Sequence, residues 1–169
     1  MKTKYLCSFM PIFFWSLNLF SQGKVEPIVT EPPIIKSPVS SSEIKKSSAF
    51  ITSPKDNSSF AGSFEVTGIA KNIPDTCHLW LVIKPRESIG WWPQYSEITL
   101  KKDGSWSGLV TIGGDKDKLL DIHLVLAYAE ANKIFYDYLE TSIQKKSFPV
   151  LHRPDGTISL THITVIKTD

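Results

Sequence analysis

The sequence predicts an all-β fold over residues 49–169, a sandwich of about seven short strands with one short helix in the last crossover. Three observations carry this reading. From Ala49 onward, short runs alternate apolar and polar residues at every second position, which is the period of a half-buried strand. Turn-forming pairs separate the runs, among them Asp103-Gly104 and Asp155-Gly156. Two other runs are apolar at nearly every position, as expected of strands covered on both faces.

The elements follow in order. Phe50-Ile51-Thr52 is a first strand, ended by Ser53-Pro54. Residues 63–70 alternate, with Phe64, Val66 and Gly68 on one face and Glu65 and Thr67 on the other. Ile73-Pro74-Asp75 makes a turn. Residues 77–84 are nearly all apolar and read as a central strand buried on both sides. Residues 95–100 and 105–112 flank Lys102-Asp103-Gly104 and read as a hairpin, because the turn needs a residue tolerant of positive φ. On its second arm Trp106, Gly108, Val110 and Ile112 share a face, opposite Ser105, Ser107 and Thr111. Residues 122–131 are a second buried strand, and residues 158–166 close the domain after Asp155-Gly156. Between them Phe135, Leu139, Ser142 and Ile143 recur at helical spacing, with Ile134 and Tyr138 beside them. This predicts an amphipathic helix over residues 133–146 that caps an open end of the sandwich.

The chain before Ala49 is different in kind. Lys2 and Lys4 precede an apolar run over residues 5–20, and then comes Ser21-Gln22-Gly23. Charge, grease and small polar residues in that order predict a secretory signal peptide over residues 1–23. Ser8, Pro11, Ser16 and Asn18 interrupt the run, which is short against the roughly 20 apolar residues of a bilayer span. An uncleaved anchor is the alternative, and it is the only membrane contact expected. Residues 24–48, with Pro27, Pro32, Pro33, Pro38 and Ser40-Ser41-Ser42, read as a flexible linker. The protein is therefore expected to be exported, to the periplasm or outside the cell.

Loss of the leader removes Lys2 and Lys4 from the 19 basic residues and none of the 17 acidic ones, so the remainder is balanced. No basic footprint for nucleic acid is present. The leader also takes Cys7, so the remainder, whose other cysteine is Cys77, cannot form an intrachain disulfide. The core must then hold by packing alone.

Five segments in this order resemble a family. They are Ile51-Thr52-Ser53-Pro54-Lys55-Asp56, Phe64-Glu65-Val66-Thr67-Gly68, the run from His78 to Ile83, Trp91-Trp92-Pro93-Gln94 and Asp103-Gly104-Ser105-Trp106-Ser107. Residues 49–169 are similar to the immunoglobulin-like or fibronectin-type-III-like β-sandwich modules of exported bacterial proteins. The resemblance implies an immunoglobulin-like topology and a non-catalytic role in adhesion, spacing or ligand contact. The chain departs from antibody-type domains in lacking two inter-sheet cysteines and in carrying the helical crossing.

Candidate binding residues are Trp91, Trp92 and Tyr95, with Arg86 in the preceding loop. Adjacent tryptophans can stack on sugar rings or grip an apolar surface. Neighbours on a strand face opposite ways, so at most one of Trp91 and Trp92 can enter the core. Trp80 and Trp106 sit mid-strand and are expected to pack between the sheets. The expected partner is a protein or a glycan at the cell envelope.

Catalysis is not expected, and a small enzyme or enzyme accessory domain is the last alternative. There is no Gly-x-Ser-x-Gly elbow and no phosphate loop, and Glu97, Asp121 and Glu130 are scattered. His78, His123, His152 and His162 lack metal-ligand spacing, although His78, His123 and His162 fall on predicted strands. No metal or cofactor is expected. Cys77 and His78 point to opposite faces and make a poor catalytic pair. Asn57-Ser58-Ser59 fits a glycosylation acceptor, or simple turn chemistry.

Overall fold

The alternating runs resolve into eight strands and one helix in the computed structural model, which describes residues 46–168. The expected leader, and the expected linker up to residue 45, lie outside the described residues. Strands β1 (Ser48–Ser53), β3 (Ser63–Lys71) and β6 (Ser105–Thr111) form an antiparallel sheet in the order β1-β3-β6. The second sheet comprises β2 (Ser58–Phe60), β4 (His78–Pro85), β5 (Trp92–Pro93), β7 (Leu119–Ala127) and β8 (Thr157–Lys167). Its order is β2-β8-β7-β4-β5. Its pairings are antiparallel except β2 on β8, which is parallel. The fold is thus mostly β, with two facing sheets and one helix.

The alternation predicted for β3 and β6 is what closes the sheets. Val66, Trp106 and Val110 are buried and share one core with Leu79, Leu81 and Leu124 of the opposite sheet. Trp106 lies against Gly68, its register partner. A Cβ at Gly68 would stand 2.2 Å from the Phe50 carbonyl oxygen and 2.3 Å from Trp106 Cζ2. The glycine therefore leaves the space that the indole fills.

Helix α1 (Ala129–Lys145) links β7 to β8. It packs on the outer face of the five-stranded sheet and does not cap an open end. Its Ala131, Phe135 and Leu139 form a second core with Trp80, Val82, Val125 and Ala127. This explains the continuous apolar runs in β4 and β7. Odd and even positions are both buried, one set between the sheets and the other beneath the helix. Trp80 belongs to the helix side, which corrects its expected place between the sheets. Its ring meets Phe135 edge-on at 5.3 Å, and its Nε1 donates to Asn132 Oδ1 at 2.7 Å.

Other boundaries also differ from expectation. The helix begins at Ala129, so residues 129–131 leave the predicted strand and join it. Tyr128, at its N-cap, makes no side-chain cap, so the start carries no Ser, Thr or Asp signal. Residues 95–100 are not a ladder strand. Tyr95 sits at φ 31°, which ends extended geometry, and Ile98 makes a single bridge to Leu79. The segment instead crosses from one sheet to the other. The Asp103-Gly104 turn does form, with Gly104 at φ 82° and its N–H donating to the Lys101 carbonyl at 2.9 Å. Among the described residues no helix is long and apolar enough to cross a membrane.

Candidate binding cavity

A cavity of about 500 Å³ opens where β6 ends and β4 runs out. Its floor is Ile83 and Pro85 of β4 with Leu120 of β7. Trp92 and Pro93 of β5 form one wall, continued by Gln94 and Tyr95. Thr111 and the Gly113-Gly114 turn after β6 form another. Leu139 and Ile143 of α1, with Phe148 beyond it, complete the enclosure. The helix thus contributes to this cavity only through Leu139 and Ile143 in its C-terminal half.

The wall is tied together by hydrogen bonds. Trp92 Nε1 donates to the Phe148 carbonyl at 3.2 Å, and Gln94 Nε2 donates to the Trp92 carbonyl at 3.0 Å. The Thr111 N–H donates to Gln94 Oε1 at 2.9 Å. The Thr111 hydroxyl is bonded to the Tyr95 hydroxyl and lies 2.5 Å from Ser63 Oγ. Gln94 therefore spends both ends of its amide on the protein itself.

Tyr95 carries two unusual features at once. Its backbone is in a region that bulky residues avoid, and its side chain is 54% exposed. Strain of this kind costs on the order of 1–3 kcal/mol and persists where the surroundings impose it, most often at functional sites. Ile143 and Phe148 beside it are 63% and 55% exposed. The mouth of the cavity is therefore apolar and open to water.

The four predicted binding residues are divided by the fold. Trp92 and Tyr95 line the cavity. Trp91 points the other way and is buried beside the helix core. Its ring stacks on His123 at 6.0 Å, beneath the Arg153 guanidinium at 5.1 Å. Arg86 donates to Thr164 Oγ1 at 2.9 Å and pairs with Asp121 at 3.6 Å, away from the cavity lining. No sequence signal marks Phe148, Gln94 or Gly113 as site residues. Ile143 and Leu139 do carry one, as members of the helical stripe.

The histidines fall into separate places. His123 and His162 stack at 5.0 Å on neighbouring strands, while His78 Nδ1 lies 2.9 Å from Glu97 Oε1. No group of three or more metal-ligating side chains comes together among the described residues. His123 Nδ1 is 2.8 Å from Ser159 Oγ, and its Nε2 is buried without a hydrogen-bond partner. Burial first, and then the neighbouring His162, hold its pKa down from 6.5 to about 4, while Asp121 pulls the other way. Lys84 and Arg153 add to the downward shift. The folded state thus resists a proton that the unfolded chain accepts. Its contribution to stability is complete above pH 6.5, falls as the pH drops from 6.5 to about 4, and is level below that. With solvent at the ring discounted, the expected loss is about 1–2 kcal/mol. Thermal melts across that range should show this fall in the parent protein. A smaller fall is expected in His123→Gln, and an equal fall in both would contradict the assignment.

Asn57 stands at φ 61°, with its Nδ2 donating to Asp56 Oδ2 at 3.0 Å, as turn chemistry requires. No protein-family model matches this sequence, and no curated protein matches it either.

Proposed function

We propose that the chain is an exported, non-catalytic binding module of the immunoglobulin-like class, which meets its partner at the cell envelope or outside the cell. The cavity between the sheet ends is its binding site, and the linker gives it reach. One observation carries this reading. A preformed, mostly apolar cavity of about 500 Å³ has a hydrogen-bonded wall and a strained aromatic at its mouth. Its size is that of small-ligand sites in general, roughly 300–1,000 Å³. No lining residue is a carboxylate, a lysine, an arginine or a histidine, so the usual proton-transfer groups are not aimed into it.

A carbohydrate-contact role is the second reading, favoured by the exposed Tyr95 ring close to Trp92. It has less support. Sugars need several free polar partners, whereas Gln94 and the Trp92 indole are already bonded within the protein.

A photo-crosslinking side chain at Gly113 tests the site. Gly113 lines the cavity, and an added Cβ there meets nothing within 4 Å. In cells, the probe at Gly113 is expected to give a saturable crosslink that the same probe at exposed Lys55 does not. Equal labelling from both positions, or none from Gly113, would count against the cavity as the binding site.

A further inference from the structure

We infer that the ligand of this cavity is a straight hydrocarbon chain with an uncharged polar end, the acyl or alkyl chain of a free lipid. This rests on the cavity being the binding site and adds the chemical class of what enters. Three observations lead to it.

The first is charge. None of the lining residues carries a full charge. An ionised group drawn inside would lose its hydration with no counter-charge to offset it. The buried part of the ligand must therefore be neutral.

The second is hydrogen bonding. The indole, amide and backbone groups in the wall are occupied by one another, through the chain of bonds joining Phe148, Trp92, Gln94 and the Thr111 N–H, and only a small hydroxyl cluster keeps hydrogen-bonding capacity. A sugar, or the backbone of an extended peptide, would bring donors and acceptors that find few partners there. An unpaired polar group costs more than its hydrogen bond would have contributed. A hydrocarbon chain brings none.

The third is the arrangement of the ends. The interior is aliphatic, with Ile83, Leu120 and Leu139 in its lining. Hydroxyls gather at one side, where Thr111 joins Tyr95 and Ser63. These groups can donate to or accept from a neutral alcohol or ester without a charge. Ile143 and Phe148, more than half exposed, would lie along the part of the chain nearest the mouth. Water would be released from them on binding.

The experiment is a calorimetric titration of the purified protein with 1-octanol, 1-decanol and 1-dodecanol, kept below their aggregation limits. Each buried methylene should tighten binding about fourfold until the cavity is full, after which the gain stops. Binding should be one to one. Gly113→Phe adds a bulky ring at an exposed lining position where an added Cβ meets nothing within 4 Å, so it should obstruct the cavity and abolish binding while the melting temperature stays near the parent's. Ile143→Asp, at an exposed position, should weaken the decanol complex roughly tenfold or more.

Two results would overturn the proposal in different ways. If the alcohols fail to bind while the Gly113 probe still captures a partner, the hydrocarbon class is wrong and the cavity remains the site. If the alcohols bind with no plateau and Gly113→Phe changes nothing, the chain adsorbs elsewhere and the proposal falls. Cellohexaose titrated in parallel should give no heat. Saturable cellohexaose binding lost in Gly113→Phe would replace the lipid with a glycan.

Discussion

Trp80→Ala should cost about 3–5 kcal/mol, the range for deleting a fully buried large aromatic. The indole is fully buried on the helix side of β4. Three losses coincide when it is removed. The helix loses its main aromatic contact with the sheet, because Phe135 and Tyr136 both meet the ring edge-on, at 5.3 and 5.0 Å. A cavity opens that the backbone cannot collapse into, since β4 is held on both sides by β7 and β5. Asn132 Oδ1 also loses the donor 2.7 Å away. Urea unfolding of the variant should show a lower midpoint and a helical signal lost before the β signal. An unchanged midpoint would mean that the helix does not depend on this face of the sheet.

Gly68→Ala should be the most damaging small substitution in the three-stranded sheet, at about 2–3 kcal/mol or more. A methyl group normally raises strand stability at glycine by lowering the entropy lost on folding. Here the sign reverses. The added carbon would overlap a backbone oxygen at 2.2 Å and the Trp106 ring at 2.3 Å. The ring could turn aside only by leaving a position where it is 2% exposed. The carbonyl of Phe50 cannot turn without disturbing the pairing of β1 on β3. Chemical denaturation of Gly68→Ala, and of Gly68→Ala combined with Trp106→Phe, separates the two clashes. The double variant should recover part of the loss. A Gly68→Ala protein as stable as the parent would show that the indole is not seated against this residue.

Both expectations rest on the feature most legible in the sequence. Period-two alternation in residues 64–68 and 106–112 identifies the residues that face inward. The unbroken apolar runs in β4 and β7 indicate burial on both faces, as the fold has it. They do not indicate the nature of the second cover. A run such as Leu79-Trp80-Leu81-Val82 is the same whether a helix or another sheet lies above it. The helical stripe announces the helix, but its place over the sheet is set by tertiary packing of Phe135 against Trp80. Its first turn is hidden because Ala129, Glu130 and Ala131 continue a strand-like run without a capping residue.

The cavity is only partly visible in the sequence, for a different reason. Trp92 and Tyr95 stand out as aromatics in a loop-flanked segment. Phe148, Gly113 and Leu120 meet them only after distant parts of the chain converge, and no local spacing encodes that. Trp91 and Arg86 share with them nothing but proximity along the chain. The strand period separates Trp91, because its side chain leaves the sheet on the other side. The failure of residues 95–100 to form a strand and the exposure of Tyr95 have one origin, the positive φ that turns the chain toward the other sheet. Nothing in the residue type announces it, since tyrosine is disfavoured there.

The most direct test of the binding account is an amide and indole NMR spectrum of the protein titrated with 1-decanol. The account predicts perturbation of the Trp92 indole N–H and of the amides of Gly113, Gly114 and Ile143, with the Trp80 and Trp106 indoles unmoved. Perturbation centred on Phe50 and Ile69 of the three-stranded sheet, or spread evenly over the surface, would contradict it.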